Sequence, residues 1–365
     1  MISVYIHIPF CDRICSYCDF CKLFYNGNFA DRYLEALKKE ILTLYKGELV
    51  NTIYIGGGTP SCLNIEQLIR LFEITKIFNK SLDCEFTIEG NFESTTHEKL
   101  DLYKNYGVNR LSFGIESIDD GNLSILERNI SIKNVTDIIE YSKKIGLTNV
   151  NVDLIYAIPG EDLDILMKDI NYILSLDVPH ISTYSLIIED NTKLKIKGIK
   201  NISEDLDNDM YKLICEVLKS KGYKHYEISN FAKEGYESRH NTCYWDNEHY
   251  YGFGLGASSY LENVRKNNTR SINRYFINEY GNDVEVLSWH DEIEYQVILN
   301  LRKSDGIDLE LFKNRFGINL IEVYDYKELL KNGLLALKNE HLFIPEDKWY
   351  ISNGIIVDVL EREVK

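Results

Sequence analysis

Cys11, Cys15 and Cys18 stand at the spacing CxxxCxxC in "YIHIPFCDRICSYCDF", at the end of an apolar run, and are three of the chain's eight cysteines. Thiolates bind soft metals, and a loop offering ligands three and two residues apart can wrap a compact iron-sulfur cluster. Three thiolates on a 4Fe-4S cube leave one iron without a protein ligand. The same residues admit two other chemistries: a zinc ion, for which Cys21 would complete the set, or burial as small apolar side chains. Further groups able to do chemistry follow later apolar runs. They are the "GGGTP" turn at 56–60, Glu89 to Asn91, Glu116 and Asp153.

Elements that gather these groups are legible in the hydrophobic rhythm. Short β-rich runs, "SVYIHIP", "NTIYIGGG", "CEFTIEGN", "NRLSFGIES", "NVNVDLIYAIP" and "HISTYSLII", alternate with helical patterns. The helical segments include "FADRYLEALKKEILTLYK", "IEQLIRLFEITKIF" and stretches near Glu98 to Tyr106, Lys133 to Lys144, Asp164 to Leu174 and Leu206 to Lys219. Asn64 with Gln67 forms a capping box ahead of Ile65, Leu68, Ile69 and Phe72, which share one face. A further strand is expected at "KHYEISNF". Repeated βα crossovers curve a parallel sheet, so the fold class is α/β, a partial, open β/α barrel of about six βα units. Barrel active sites lie at the carboxyl ends of the strands, where the groups above fall.

Composition bounds the rest. A chain of 365 residues that is 44% hydrophobic can bury two or three domain cores. No uninterrupted apolar run reaches membrane-spanning length and no leader pattern opens the chain, so a cytoplasmic location is expected, with membrane contact at most peripheral. In a reducing compartment clustered cysteines serve metals or redox chemistry rather than disulfides. A formal charge of -16 argues against nucleic acid as a partner. The expected domains are 1–230, the barrel; 231–285, a connecting region; and 286–365, where helices at Glu292 to Leu301, Asp308 to Phe316 and Leu320 to Leu330 and a hairpin in "GLLALKNEHLFIP" suggest a winged-helix-like module.

The tract CxxxCxYC with "GGGTP" resembles the radical S-adenosylmethionine (SAM) superfamily. "YIHIPFC", "GVNRLSFGIES", "VDLIYAIPG", "HISTYSLIIEDNT", "YEISNFAKEGYESRHNTCYW" and "GFGLGASSY" resemble its HemW branch of haem chaperones, over nearly the whole chain. The resemblance implies a 4Fe-4S cluster on Cys11, Cys15 and Cys18, whose spare iron binds SAM. One electron from the reduced cluster would then break the sulfonium bond to give methionine and a 5'-deoxyadenosyl radical. It further implies SAM contacts from Tyr5, Tyr17, Gly57, Gly58, Thr59, Glu89, Glu116, Arg128 and Asp153. "HNTCYW" matches the branch's HNxxYW haem motif, which makes His240 the implied axial ligand, with Tyr244 and Trp245 packing on the porphyrin. Haem-accepting proteins and an electron donor such as a flavodoxin or ferredoxin are the implied partners.

Several residues depart from the family pattern. Glu116 stands where glutamine is usual, Asn91-Phe92 replaces "NP", Ile130 replaces a frequent histidine, and Ser258 replaces the histidine of "GAHSY". The related coproporphyrinogen III dehydrogenase, a radical decarboxylase of porphyrin biosynthesis, is the alternative function. It has a longer segment ahead of the cluster motif and a cysteine two residues after the third. Here the motif begins at residue 11 and Cys21 lies three residues after Cys18, so the chaperone branch is the expectation.

Overall fold

The computed structural model describes residues 1–364. Six strands pair in parallel in chain order: β1 (Ile2–Ile8), β2 (Leu49–Gly57), β3 (Asn79–Gly90), β4 (Arg110–Glu116), β5 (Asn149–Tyr156) and β6 (His180–Ser185). Helices α1 (Gly27–Leu44), α2 (Ile65–Thr75), α3 (His97–Asn105), α4 (Asp120–Leu126), α5 (Ile132–Lys144) and α6 (Leu163–Ser175) fill the crossovers that parallel pairing requires. Val4, Ile6 and Ile8 of β1 are buried under the helices, while the alternate Ser3, Tyr5 and His7 face the polar interior of the barrel. The Asn64–Gln67 capping box opens α2 as expected.

Two differences from the sequence expectation alter the architecture. After α7 (Glu204–Ser220), the segment "KHYEISNF" makes an antiparallel hairpin, β7 (Lys224–Glu227) and β8 (Asn230–Ala232), not another parallel strand. Only Ile228 and Ser229 separate them, too few residues for a crossover. Past α8 (Arg239–Trp245), residues 250–286 build β9 (Tyr250–Phe253), β10 (Ser258–Leu261), β11 (Val264–Asn268) and β12 (Gly281–Val286). β9 joins β1 in parallel and the others follow antiparallel, so this stretch extends the main sheet. The resulting 12-stranded sheet runs β12-β11-β10-β9-β1-β2-β3-β4-β5-β6-β8-β7 and its ends do not pair, which leaves the barrel open.

A second core forms beyond residue 287 around Ile293, Val297, Phe312, Leu342, Trp349 and Ile356. Here α9 (Trp289–Asn300) and α10 (Leu309–Phe316) pack on a three-stranded sheet of β13 (Ile307–Asp308), β14 (Ala336–Lys338) and β15 (His341–Phe343). The helix expected over Leu320 to Leu330 is instead two short turns, Leu320–Val323 and Lys327–Lys331. The carboxyl terminus pulls the chain out of helix between them: Tyr324 bridges Glu363, and Asp325 N donates to Arg362 O.

Candidate functional site

The cysteine loop leaves β1 and is closed by a short parallel pairing of Phe10–Cys11 with Leu23–Phe24. The glycine turn docks against its base, because Gly58 N donates to Ile8 O (2.8 Å) and Thr59 N to Phe10 O (2.7 Å). That approach needs glycine: a Cβ on Gly58 would lie 2.8 Å from Phe10 O, and Gly57 has φ +110° with the His7 ring 2.3 Å from where its Cβ would be. Ser16, between the second and third cysteines, is fully buried and pinned to α4 through Ser16 N to Leu126 O and Ser16 Oγ to Ile125 O (2.6 Å).

These elements surround a cavity of about 690 Å³ at the carboxyl ends of the strands. Cys11, Cys15 and Cys18 line it with Tyr17, Gly57, Gly58, Thr59, Glu89, Glu116, Arg128 and Asp153, so all but one of the residues implied for cluster and SAM come together. Tyr5 is the exception: it lies one layer deeper, its hydroxyl on His7 Nδ1 (2.9 Å). Cys21 does not line the cavity either. Its side chain packs towards Gly256, and burial raises its thiol against the opposing pull of Arg270. Among the described residues no three His, Cys, Asp or Glu side chains gather around a point that a single metal ion could fill.

Three carboxylates, Glu116 buried and Glu89 and Asp153 half-buried, give the cavity its electrostatics. Glu89 accepts from Tyr54 OH at Oε1 (2.7 Å) and from Gly57 N at Oε2 (2.9 Å), and burial pushes it above the usual carboxylate range. Glu116, at φ +62°, accepts from Tyr17 OH (3.0 Å) and pairs with Arg128 at 2.9 Å. Burial raises Glu116 and the adjacent guanidinium opposes that shift. Arg128 also donates to Gly114 O (2.9 Å) and reaches Cys15 Sγ at 4.0 Å, so it ties β4 to the cysteine loop. Asp153, held by Asn151 Nδ2 (2.8 Å), is pushed up to about 6 by burial, with the charge of Glu89 adding to the shift. Cys11 is likewise raised to about 11 by burial.

The residues present fit the implied groups. Three unpaired thiols share one wall, backbone replaces side chains at the glycine turn, and the acidic interior suits a ligand carrying ammonium and sulfonium charge. A pH dependence follows. Asp153 is neutral below about 6 and ionised above it, so its attraction for a cationic ligand is present at neutral pH and lost on acidification. SAM binding measured by equilibrium dialysis is expected to weaken as pH falls through about 6; a flat profile from 5 to 8 would contradict it.

The haem-motif residues lie elsewhere. His240 is 1% exposed, with Nδ1 on Thr52 Oγ1 (2.7 Å), Nε2 on Tyr244 OH (2.7 Å), and its ring stacked on Tyr54; burial lowers it to about 3. No ring nitrogen is free to ligate iron in this arrangement. Trp245 is half-buried, and its carbonyl accepts from Asn300 Nδ2 (2.6 Å). Glu85 of β3 caps α8 by accepting from Arg239 N (3.1 Å) and His240 N (3.0 Å), a carboxylate placed at a helix amino end. Of the departures, Phe92 packs on Phe113 in the core, and Ser258 is exposed on β10, bonded to Asn267 (2.6 Å).

Ser16, Tyr54, Arg110 and Asn151 support the site without having been singled out in the sequence. Strand alternation offered the signal for three of them: Tyr54 shares a face with Gly56, Arg110 with Ser112 and Gly114, Asn151 with Asp153.

Known proteins resemble this chain along nearly its whole length. A family model for the radical SAM superfamily matches residues 5–173, and one for the HemN C-terminal domain matches 287–347. The chain is 38% identical over 377 residues to the "Heme chaperone HemW" of Lactococcus lactis, covering 99% of this chain and 98% of that protein. It is also 38% identical over 371 residues to the Bacillus subtilis HemW, covering 97% and 98%. Among solved structures, coproporphyrinogen III oxidase (HemN) from Escherichia coli aligns with a TM-score of 0.86 over 98% of this chain and 89% of that one, at 22% identity, a likeness of fold.

Proposed function

The chain belongs to the radical SAM superfamily and, within it, to the HemW haem chaperones, and from that membership we propose that it binds haem and passes it to acceptor proteins under the control of a cluster and SAM held at the barrel mouth. The near full-length identity to HemW carries this reading. Cys11, Cys15 and Cys18 are the proposed cluster ligands, and Glu89, Glu116, Asp153 and the glycine turn the proposed SAM contacts. When bound together, cluster and SAM supply one-electron cleavage of a sulfonium bond. The chain's own part is placement. Arg128 holds Glu116 against the cysteine loop, Glu89 and Asp153 present carboxylates to positive charge, and Phe20 and Ile187 stand exposed at the rim.

Haem ligation by His240 is proposed for a form of α8 in which Tyr244 has moved off Nε2. The proposed setting is the cytoplasm, and the proposed electron donor a flavodoxin or ferredoxin. Titration of the cluster-loaded full chain with haemin is expected to give a stable Soret band, with no conversion of coproporphyrinogen III under reducing, anaerobic conditions. Turnover to protoporphyrinogen would overturn the chaperone reading in favour of the decarboxylase.

A further inference from the structure

Glu89 is held from behind by a column of rings that starts in the haem motif. The Thr52 hydroxyl donates to Ser3 Oγ (2.8 Å), so it meets His240 Nδ1 as acceptor; the ring proton therefore sits on Nδ1, and Nε2 accepts from Tyr244 OH. With both nitrogens fixed, the imidazole is locked in orientation. Its ring stacks on Tyr54 with centroids 5.1 Å apart and planes 27° from parallel. Tyr54 OH in turn donates to Glu89 Oε1 at 2.7 Å.

We propose that Tyr54, seated on His240, is a positioning residue that aims the Glu89 carboxylate into the SAM pocket, so that the HNTCYW helix helps to set cofactor affinity. The proposal rests on the reading that this pocket takes SAM. Other charged or titratable groups face Glu89 from each neighbouring element: Tyr5 on β1, Arg110 on β4, Asp153 on β5, Tyr184 on β6 and Tyr244 on α8. None of them bonds it directly; among the described residues only Tyr54 and Gly57 do. Arg110, 1% exposed, makes no ion pair among the described residues and acts on Glu89 only at longer range. Opening α8 for any other ligand would disturb the same column, which links the two ends of the barrel interior.

Tyr54→Phe keeps the stacked ring and removes only the donated bond. SAM binding to the cluster-loaded full chain, measured by equilibrium dialysis from pH 5.5 to 9, tests it. Expected, relative to the unaltered chain at the same pH, is an affinity about tenfold lower at pH 7 and a difference that narrows as pH rises, because a carboxylate that has lost a donor ionises later. His240→Gln, which can still bridge Thr52 and Tyr244 but offers Tyr54 no ring, is expected to shift the profile in the same direction by less. A uniform loss at every pH in either variant, or wild-type binding in both, would overturn the proposal. Failure of the unaltered chain to bind SAM at all would instead sink the cofactor reading, and this proposal with it.

Discussion

Cys15→Ser is expected to bring bound iron after anaerobic reconstitution close to background and to abolish any spectral change on adding SAM, while Cys21→Ser retains both. A hydroxyl is a much harder, less acidic ligand than a thiol, and a cube held by two protein sulfurs has lost a corner. Cys15 lies on the cavity wall beside Arg128, whose guanidinium 4.0 Å from Sγ offsets part of the thiolate charge. Burial otherwise disfavours that thiolate, so it forms on binding iron rather than in advance. Cys21 faces the β9–β10 side, where a Cβ on Gly256 would come within 2.9 Å of its own Cβ. Loss of iron in Cys21→Ser equal to that in Cys15→Ser would show four sulfurs acting as one set. Iron and acid-labile sulfide analysis of the two variants decides the matter.

Arg128→Met is expected to be the most destabilising single change at the site. Arg128 and Glu116 form a buried pair at 2.9 Å, with side chains 11% and 9% exposed, and breaking such a pair from one side costs about 3–5 kcal/mol because the partner's charge stays buried. The double variant with Glu116→Gln removes that stranded charge and should recover part of the loss. Denaturant midpoints of the metal-free chain measure both; a change under about 1 kcal/mol in the single variant would show the pair to be effectively solvated. Glu116 stands where glutamine is usual in the family, so Glu116→Gln alone should bind SAM, since Tyr17 can still donate to the amide oxygen.

The parallel core was readable because each strand must bury one face under helices, which leaves runs such as Val4, Ile6 and Ile8 in the chain. The site's placement followed from topology, since loops at the carboxyl ends of parallel strands converge whatever their composition. Legibility failed where tertiary contacts outvote local pattern. Residues 264–268 and 281–286 look polar because β11 and β12 form the outer edge of the sheet, with β12 exposed throughout, so no apolar alternation marks them as strands. The broken helix after Leu320 is dictated by chain far along the sequence, at Arg362 and Glu363. His240 shows the limit most clearly. The sequence marks it as a candidate ligand, and the folded barrel adds that Thr52 and Tyr244 occupy its two nitrogens in this arrangement.

Metal analysis and electron paramagnetic resonance of the unaltered, oxygen-protected chain, before and after adding SAM, test the cluster assignment most directly. Expected are about four irons per chain and a reduced-state signal that changes when SAM binds the open iron. A single zinc ion shared by Cys11, Cys15, Cys18 and Cys21, with no response to SAM, would contradict it.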